Sequence, residues 1–254
     1  MSSQLRDLPL RGILIYVVNT ICFSVISLLV KELSIQFSIS ELLLVRFFCT
    51  FLGMALLIQF KGGFPLLRTR KALDLAIRTA SGMIAIALSF VAFSGALLAD
   101  ATALVFSAPL FTLLLSIPVL SERINRQKIF AVLTGFLGVV LITRPGFNNV
   151  SPALYAALGS AIFFSIVTVW LRRLNQTVHP LAISFYYNLT GTFVFFLWSW
   201  SSGWSEAWSE IHGMLLLLGL IGVIQQVMLS YSFRFAEASL LAPFDYFSLP
   251  LALV

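Results

Sequence analysis

The sequence predicts an all-α polytopic membrane protein, on three observations: its composition, its long apolar segments and a faint internal repeat. Of the 254 residues, 59% are apolar and only 10% are charged, and the mean hydropathy is +1.00. Soluble domains average about 45–50% apolar and about 25% charged residues. Hydrocarbon is therefore the main solvent of this chain, and its backbone polar groups must be satisfied within helices.

Apolar segments separated by polar residues predict nine membrane-spanning helices. Most have about the length that a bilayer requires. The first has no convincing small-residue cleavage site after it, so we interpret it as a retained helix and not as a signal peptide. The predicted helices cover residues 12–30, 41–60, 74–97, 101–120, 127–143, 153–171, 181–200, 213–233 and 239–254.

The basic residues predict the orientation. With a cytoplasmic N-terminus, the outer connectors hold only Lys31 and Arg144, and Arg46 lies within helix two. This asymmetry favours a cytoplasmic N-terminus in a bacterial inner (plasma) membrane. Basic residues scattered over short connectors also argue against nucleic-acid binding, despite a net charge of +6. The inner connectors hold 13 of the 16 basic residues: Arg6, Arg11, Lys61, Arg68, Arg70, Lys71, Arg78, Arg123, Arg126, Lys128, Arg172, Arg173 and Arg234.

Two halves of the chain resemble each other. Residues 99–104 are similar to residues 236–241, and residues 23–27 are similar to residues 164–168. The first unit, 12–146, has five spans and ends at an Arg-Pro-Gly break; the second is 152–254. Because five is odd, the second unit must be inverted in the membrane. Two inverted five-helix repeats require ten helices, so we expect about nine here and roughly 30 further residues in a complete second unit.

Prolines interrupt corresponding helices in the two halves. Pro109 breaks helix four, and Pro243 and Pro250 break helix nine. Paired broken helices in inverted repeats are typical of the midplane binding site of secondary transporters. The sequence therefore predicts a secondary transporter that moves a small organic metabolite by alternating access.

Several motifs carry a resemblance to a known family. Residues 41–47 read Glu-Leu-Leu-Leu-Val-Arg-Phe, residues 108–113 read Ala-Pro-Leu-Phe-Thr-Leu, and residues 135–146 end in Thr-Arg-Pro-Gly. In this order and spacing they resemble the drug/metabolite transporter superfamily, in its EamA-domain branch. The resemblance implies ten helices in two inverted repeats, with a cavity lined mainly by helices one, three, four, six, eight and nine. Arg78 and residues 242–246 resemble a subset that includes S-adenosylmethionine and riboflavin uptake carriers.

Charged residues within spans are the first candidates for substrate binding. Arg46 lies about 7.5 Å past Glu41 along its helix. It either binds backbone carbonyls or a loop carboxylate, or binds an anionic group of the substrate. Arg78 is either a positive-inside anchor or a partner for a phosphate or carboxylate at the inner mouth.

Asp245 is the second candidate. It lies between Pro243 and Pro250 without a basic residue within one helical turn. It either stays protonated through desolvation, pairs with a distant arginine, or meets a cation or a proton in a water-filled cavity. If it faces the expected tenth helix, its role is structural. Tyr246 and Tyr231 either contact a ring-bearing substrate or serve in aromatic packing.

Uncharged polar residues complete the candidate set. At least one of Gln225 and Gln226 should face the protein interior, because an unpaired amide in lipid is costly. Serine and threonine are weaker candidates, since their hydroxyls can bond their own helix backbone. The remaining candidates for the cavity are Asn19, Ser24, Ser81, Ser89, Thr102 and Ser107.

The sequence also excludes some activities. It has no Gly-rich phosphate loop for ATP hydrolysis, and His179 and His212 are expected on opposite sides of the membrane, so no metal, cofactor or catalytic residue is predicted. A channel or a non-transporting scaffold is the first alternative, and an intramembrane enzyme is the second. The expected partners are a small metabolite and the bilayer; a coupled proton and a homodimer stay open.

Overall fold

The computed structural model describes residues 8–121, 125–143, 151–205, 208 and 213–248. Those residues form helices and connectors, and seven helical segments among them are long and apolar enough to cross a membrane. The predicted all-helical polytopic membrane fold is thus confirmed. The seven segments match predicted helices one to four and six to eight; the fifth matches an 18-residue helix, and the ninth is described only to residue 248.

The observed helices keep the predicted order, and most begin or end a few residues outside the predicted limits. A short 3₁₀ segment, Phe64–Leu67, follows the second helix, and another, Ala242–Ser248, ends the described chain. The helices are α1 Pro9–Leu33, α2 Ile39–Lys61, α3 Ala72–Gly95, α4 Leu98–Val105, α5 Ala108–Leu120, α6 Arg126–Thr143, α7 Pro152–Asn175, α8 Pro180–Ser202, α9 Gly213–Phe235 and α10 Ala238–Leu241.

Two helix starts show how local sequence sets these limits. Ser38 and Glu41 form a capping box at the start of α2, where each side chain pairs with the other residue's backbone N–H. His179 caps α8, its Nδ1 accepting a hydrogen bond from the Leu181 N–H at 3.3 Å. Burial and the positive charges of Arg234 and Lys61 lower the pKa of His179. The ring is therefore kept neutral, as an accepting Nδ1 requires.

The two helices that the prolines were expected to break are both interrupted. Predicted helix four is divided into α4 and α5, with the break at Phe106 and Ser107. Pro109 occupies the second position of α5, where a missing N–H leaves no helical bond unmade. Predicted helix nine is the short α10 followed by the 3₁₀ segment that contains Pro243. Pro250 lies outside the described residues.

The most extensive helix–helix interfaces join one half of the chain to the other. The most extensive contacts join α1 to α9, α3 to α7, and α2 to α8. If α1 corresponds to α7 and α3 to α9, the first two interfaces are equivalent, and the α2–α8 interface pairs a helix with its own counterpart. That is the pattern that a two-fold axis relating the two halves produces. It is consistent with the repeat of the two units, whose inversion across the membrane stays a prediction.

Individual contacts repeat this correspondence. Lys31, at the end of α1, donates to the Ala96 carbonyl at 2.9 Å, and Arg172, near the end of α7, donates to the Phe233 carbonyl at 3.1 Å. Ala96 and Phe233 are 137 residues apart, the same shift as the sequence repeat. In each half, then, a basic residue at the end of the first helix holds the end of the third.

The connector between α8 and α9 is held against the start of α2. Glu41, fully buried, accepts hydrogen bonds from the backbone N–H of Ser205 at 2.7 Å and from the Trp208 indole at 2.6 Å, and also from the Ser205 hydroxyl. The carboxylate of Glu41 therefore caps α2 and also binds the connector between α8 and α9 in the second half.

Candidate functional site

A cavity of about 70 Å³ lies between the two halves, beside the break in predicted helix four. It is lined from α1, the α4–α5 junction, α7, α9 and the 3₁₀ segment, which correspond to predicted helices one, four, six, eight and nine. Helix three, the other helix that the family resemblance implies, contributes no residue to this lining. The lining residues are Tyr16, Asn19, Thr20, Phe23, Val105, Phe106, Ala108, Pro109, Phe164, Val167, Thr168, Gln225, Leu229 and Asp245.

One face of α1 supplies four of the lining residues. Tyr16, Asn19, Thr20 and Phe23 are spaced three, one and three residues apart, which places them in a single stripe along the helix. Three of the four carry polar groups within an apolar segment. The stripe turns the inner face of α1 into a polar wall of the cavity.

The two halves meet across the cavity at a pair of phenylalanines. The rings of Phe23 and Phe164 are 5.6 Å apart in an edge-to-face arrangement. These two residues begin the similar segments 23–27 and 164–168 of the repeat. Equivalent residues in contact lie close to the axis that relates the two halves, so the cavity lies near that axis.

Asp245 reaches the cavity from the 3₁₀ segment. Its Oδ1 accepts a hydrogen bond from the Tyr16 hydroxyl at 2.7 Å. A short bond from a phenol both orients the carboxyl group and stabilises its negative charge. The structure therefore brings a sequence-predicted carboxylate to the cavity and adds Tyr16, which the sequence analysis did not single out.

Gln225 links the cavity wall to a buried arginine. Its Nε2 donates to Asn19 Oδ1 at 2.8 Å, and its Oε1 accepts from Arg46 Nη2 at 2.9 Å. Asn19 and Gln225 line the cavity, whereas Arg46 lies one hydrogen bond behind it. The neutral amide thus separates the cavity from a positive charge.

Arg78 is buried close to Arg46. Its guanidinium carbon lies 3.8 Å from the centre of the Tyr187 ring, and Tyr187 itself donates to the Gly82 carbonyl at 3.2 Å. The side chain is 1% exposed. Arg78 is therefore not a solvent-facing anchor, because α8 covers it and holds it against an aromatic ring.

Several predicted candidates are buried but do not line the cavity. The Ser89 hydroxyl donates to the Ile86 carbonyl at 2.8 Å, Thr102 donates to Leu98 at 2.6 Å, and Ser107 donates to Leu104 at 2.6 Å. Ser24 likewise donates to Thr20 at 3.2 Å. These hydroxyls bond their own helix backbone, which is what makes them poor indicators of a site.

Three further candidates lie elsewhere. Gln226 is buried at the α8–α9 interface, where its Nε2 is 3.4 Å from the Ser184 hydroxyl. Tyr231 packs against the His179 ring and under Lys61, whose Nζ is 5.3 Å from the Tyr231 ring centre. Tyr231 thus belongs to a cluster at a helix end and is not at the cavity. Ser81 is buried outside the lining, and the side chain of Tyr246 lies outside the described residues.

The sequence analysis missed Tyr16, Thr20, Phe164 and Tyr187. For the α1 residues a signal was available, since their spacing puts them on the same face as Asn19. Tyr187 gives no comparable signal, because its partners come from distant parts of the chain. Within the described residues, no group of three or more His, Cys, Asp or Glu side chains is arranged to hold a metal ion.

Seven apolar helical segments, with a cavity between the two halves that polar and apolar side chains line together, define an integral membrane protein with a candidate small-molecule site. Residues 10–144 and 151–254 match the EamA-like transporter family. The chain is 31% identical to the pseudopaline exporter CntI of Pseudomonas aeruginosa, over 94% of this chain and 84% of that protein. It is 25% identical to the riboflavin transporter of Vibrio cholerae, over 98% of this chain and 84% of that protein.

A solved crystal structure shares the fold, with a TM-score of 0.79 and 18% identity over 96% of this chain and 86% of the other. The chain belongs to the EamA-like transporter family. Its placement in the drug/metabolite transporter superfamily is thereby confirmed, and the chain is a membrane transporter.

Proposed function

We propose that this protein is a secondary transporter that moves a small organic metabolite through the cavity between its two halves. The observation that carries the proposal is the position of that cavity. It lies where two interrupted helices from corresponding places in the two halves meet, with lining residues from both. Backbone irregularity at membrane depth is tolerated only where it is buried or lines a cavity, and it is typical of carrier binding sites.

The two units, 12–146 and 152–254, would alternate by rocking about the cavity. The extensive α1–α9 and α3–α7 interfaces each join one unit to the other, so a rotation of one unit against the other opens one side as it closes the opposite side. Pro109 and Pro243 lie at the interrupted helices, where local changes of backbone angle disturb few helical hydrogen bonds. The orientation that we propose has a cytoplasmic N-terminus in a bacterial inner membrane.

Substrate contact is assigned to the polar groups that line the cavity. Asp245 and Tyr16 form one side, and Asn19 and Gln225 form another. The two relatives named above transport pseudopaline and riboflavin, which supports an organic metabolite as the substrate class. A proton that moves with the substrate would be held at Asp245, which is the cavity's carboxylate.

Counterflow tests this proposal. Purified protein is reconstituted into vesicles preloaded with one unlabelled compound from a panel of riboflavin, S-adenosylmethionine and the amino acids, and uptake of the same labelled compound is followed. A carrier exchanges faster across a preloaded membrane, so at least one compound should show uptake well above that of empty vesicles. Flux that preloading does not accelerate would indicate a channel, and no flux for any compound would indicate a scaffold. Either result contradicts the proposal.

A further inference from the structure

Two arginines lie buried in the middle of the bundle. Arg46 is 3% exposed and Arg78 is 1% exposed, and both lie in membrane-spanning helices. Tyr187 lies between them: Arg78 covers its ring, and the ring of Phe47, next to Arg46, is 4.9 Å from it. Two positive charges are thus held close together in the protein interior, an arrangement that is rare in membrane proteins and marks functional sites.

These guanidinium groups are not neutralised within the described part of the chain. The ion pairs found there join Lys128 to Glu237 and Arg173 to Asp74, and neither includes Arg46 or Arg78. The Nε and Nη1 groups of both arginines find no hydrogen-bond acceptor among the described residues. An arginine with a structural role usually directs these donors at carbonyls or carboxylates. Here four N–H-bearing nitrogens have no acceptor among the described residues and are available to the oxygens of a bound ligand.

Arg46 is separated from the cavity by a single side chain. Gln225 is bonded to Arg46 through its Oε1 and to Asn19 in the cavity wall through its Nε2. A rotation of the Gln225 side chain would bring Arg46 to the cavity without any movement of the backbone. An oxygen of a bound anion could then replace Gln225 Oε1 as the acceptor for Arg46 Nη2.

We infer that Arg46 and Arg78 form an anion site that takes a carboxylate or phosphate group of the transported metabolite. This inference rests on the proposed function and specifies its substrate class as organic anions. The planar guanidinium group presents parallel N–H donors that fit both carboxylate and phosphate oxygens. Asp245 on another wall of the cavity favours a cationic or hydrogen-bond-donating group elsewhere on the same molecule, which makes a dipolar substrate the best match.

Thermal unfolding of the full chain in detergent, with simple anions as probes, tests the inference. Melting is measured in sodium acetate and in sodium phosphate against sodium chloride of equal ionic strength, with acetamide as the neutral analogue of acetate. A ligand that binds only the folded protein raises its melting temperature as its concentration increases. We expect a rise of about 2–4 °C for acetate or phosphate and none for acetamide. The more effective anion identifies the group that the site accepts.

Substitutions distinguish an anion site from a purely structural role of the two arginines. Arg46→Gln with Arg78→Gln should abolish the anion-dependent rise, while its melting temperature in chloride should equal or exceed that of the wild type, because an uncompensated buried charge is removed. Arg173→Gln is the matched control: its side chain is 47% exposed, and it should keep the full rise. If the double variant does not fold, Arg46→Lys keeps the charge without the planar fork and should reduce the rise.

The inference is overturned if no anion stabilises the wild type more than chloride does, or if the stabilisation persists in the double variant. Counterflow remains an independent measurement. Exchange of a neutral metabolite at the same rate by wild type and double variant would leave the transporter proposal intact and remove the anion site. Anion-dependent stabilisation without any counterflow would retain the site and remove the transport proposal.

Discussion

Asp245→Asn is expected to reduce transport by about 10- to 100-fold. Tyr16 donates to this carboxyl group at 2.7 Å within the cavity, and hydrogen bonds to charged groups contribute about 1.5–3 kcal/mol, with about 1.4 kcal/mol for each factor of ten. Asparagine keeps the shape of the side chain but removes its charge and its capacity to take a proton. The measurement is the initial rate of counterflow in vesicles, over a range of external pH.

Two other substitutions serve as controls for this prediction. Tyr16→Phe removes the donated hydrogen bond but keeps the carboxylate, so it should lower transport while the dependence of transport on external pH remains. Asp74→Asn makes the same chemical change outside the cavity, where Asp74 pairs with a half-exposed Arg173. Such a pair contributes little, and transport should remain close to that of the wild type. A wild-type rate and pH dependence in Asp245→Asn would remove Asp245 from the mechanism.

Gly191→Ala is expected to be the most destabilising single-methyl change in the helix interfaces. A Cβ atom at residue 191 would overlap Cδ1 and Cε1 of Phe47, which is fully buried on α2. The ring cannot move aside freely, because it packs against Tyr187 and Phe195 with centroid distances of 4.9 Å. Overpacking of this kind costs about 1–3 kcal/mol. Thermal unfolding should occur about 3–10 °C below the wild type.

Gly138→Ala, in contrast, is not expected to destabilise the protein. Gly138 also lies inside a helix, α6, but no atom of the described residues lies within 4 Å of a Cβ built there. Alanine should be neutral or stabilising by up to about 1 kcal/mol, because it restricts the unfolded chain and favours the helix.

Phe47→Leu added to Gly191→Ala should recover part of the lost stability, since the two residues are in contact. If the two glycine variants melt at the same temperature, the close α2–α8 packing described here is wrong.

Much of the fold follows from local sequence. Apolar segment length predicts the helices, and the prolines of helices four and nine predict where they are interrupted. Asp245, Asn19, Gln225 and Pro109 were also predicted from sequence and line the cavity. An ionisable or amide group within an apolar segment is costly enough that its presence alone points to the interior.

The rest depends on contacts between distant residues. Arg46 and Arg78 lie close to Tyr187, which is more than 100 residues further along the chain. No residue near either arginine in the sequence indicates this contact. Ser89, Thr102 and Ser107 do not line the cavity. Their hydroxyls are satisfied within one helical turn, so a polar residue in a span does not by itself identify a cavity.

The central claim is that two units of the chain are inverted relative to each other around a shared cavity, and the membrane sidedness of two connectors tests it most directly. Ile35, 80% exposed between α1 and α2, and Gln176, exposed between α7 and α8, occupy corresponding places in the two units. Single cysteines are placed there after Cys22 and Cys49 are replaced by alanine, and intact cells are treated with a membrane-impermeant maleimide.

Ile35→Cys should be labelled from outside, and Gln176→Cys should be labelled only after the membrane is permeabilised. Labelling of both cysteines from the same side would show that the two units are parallel, and would contradict the inverted arrangement and the carrier mechanism built on it.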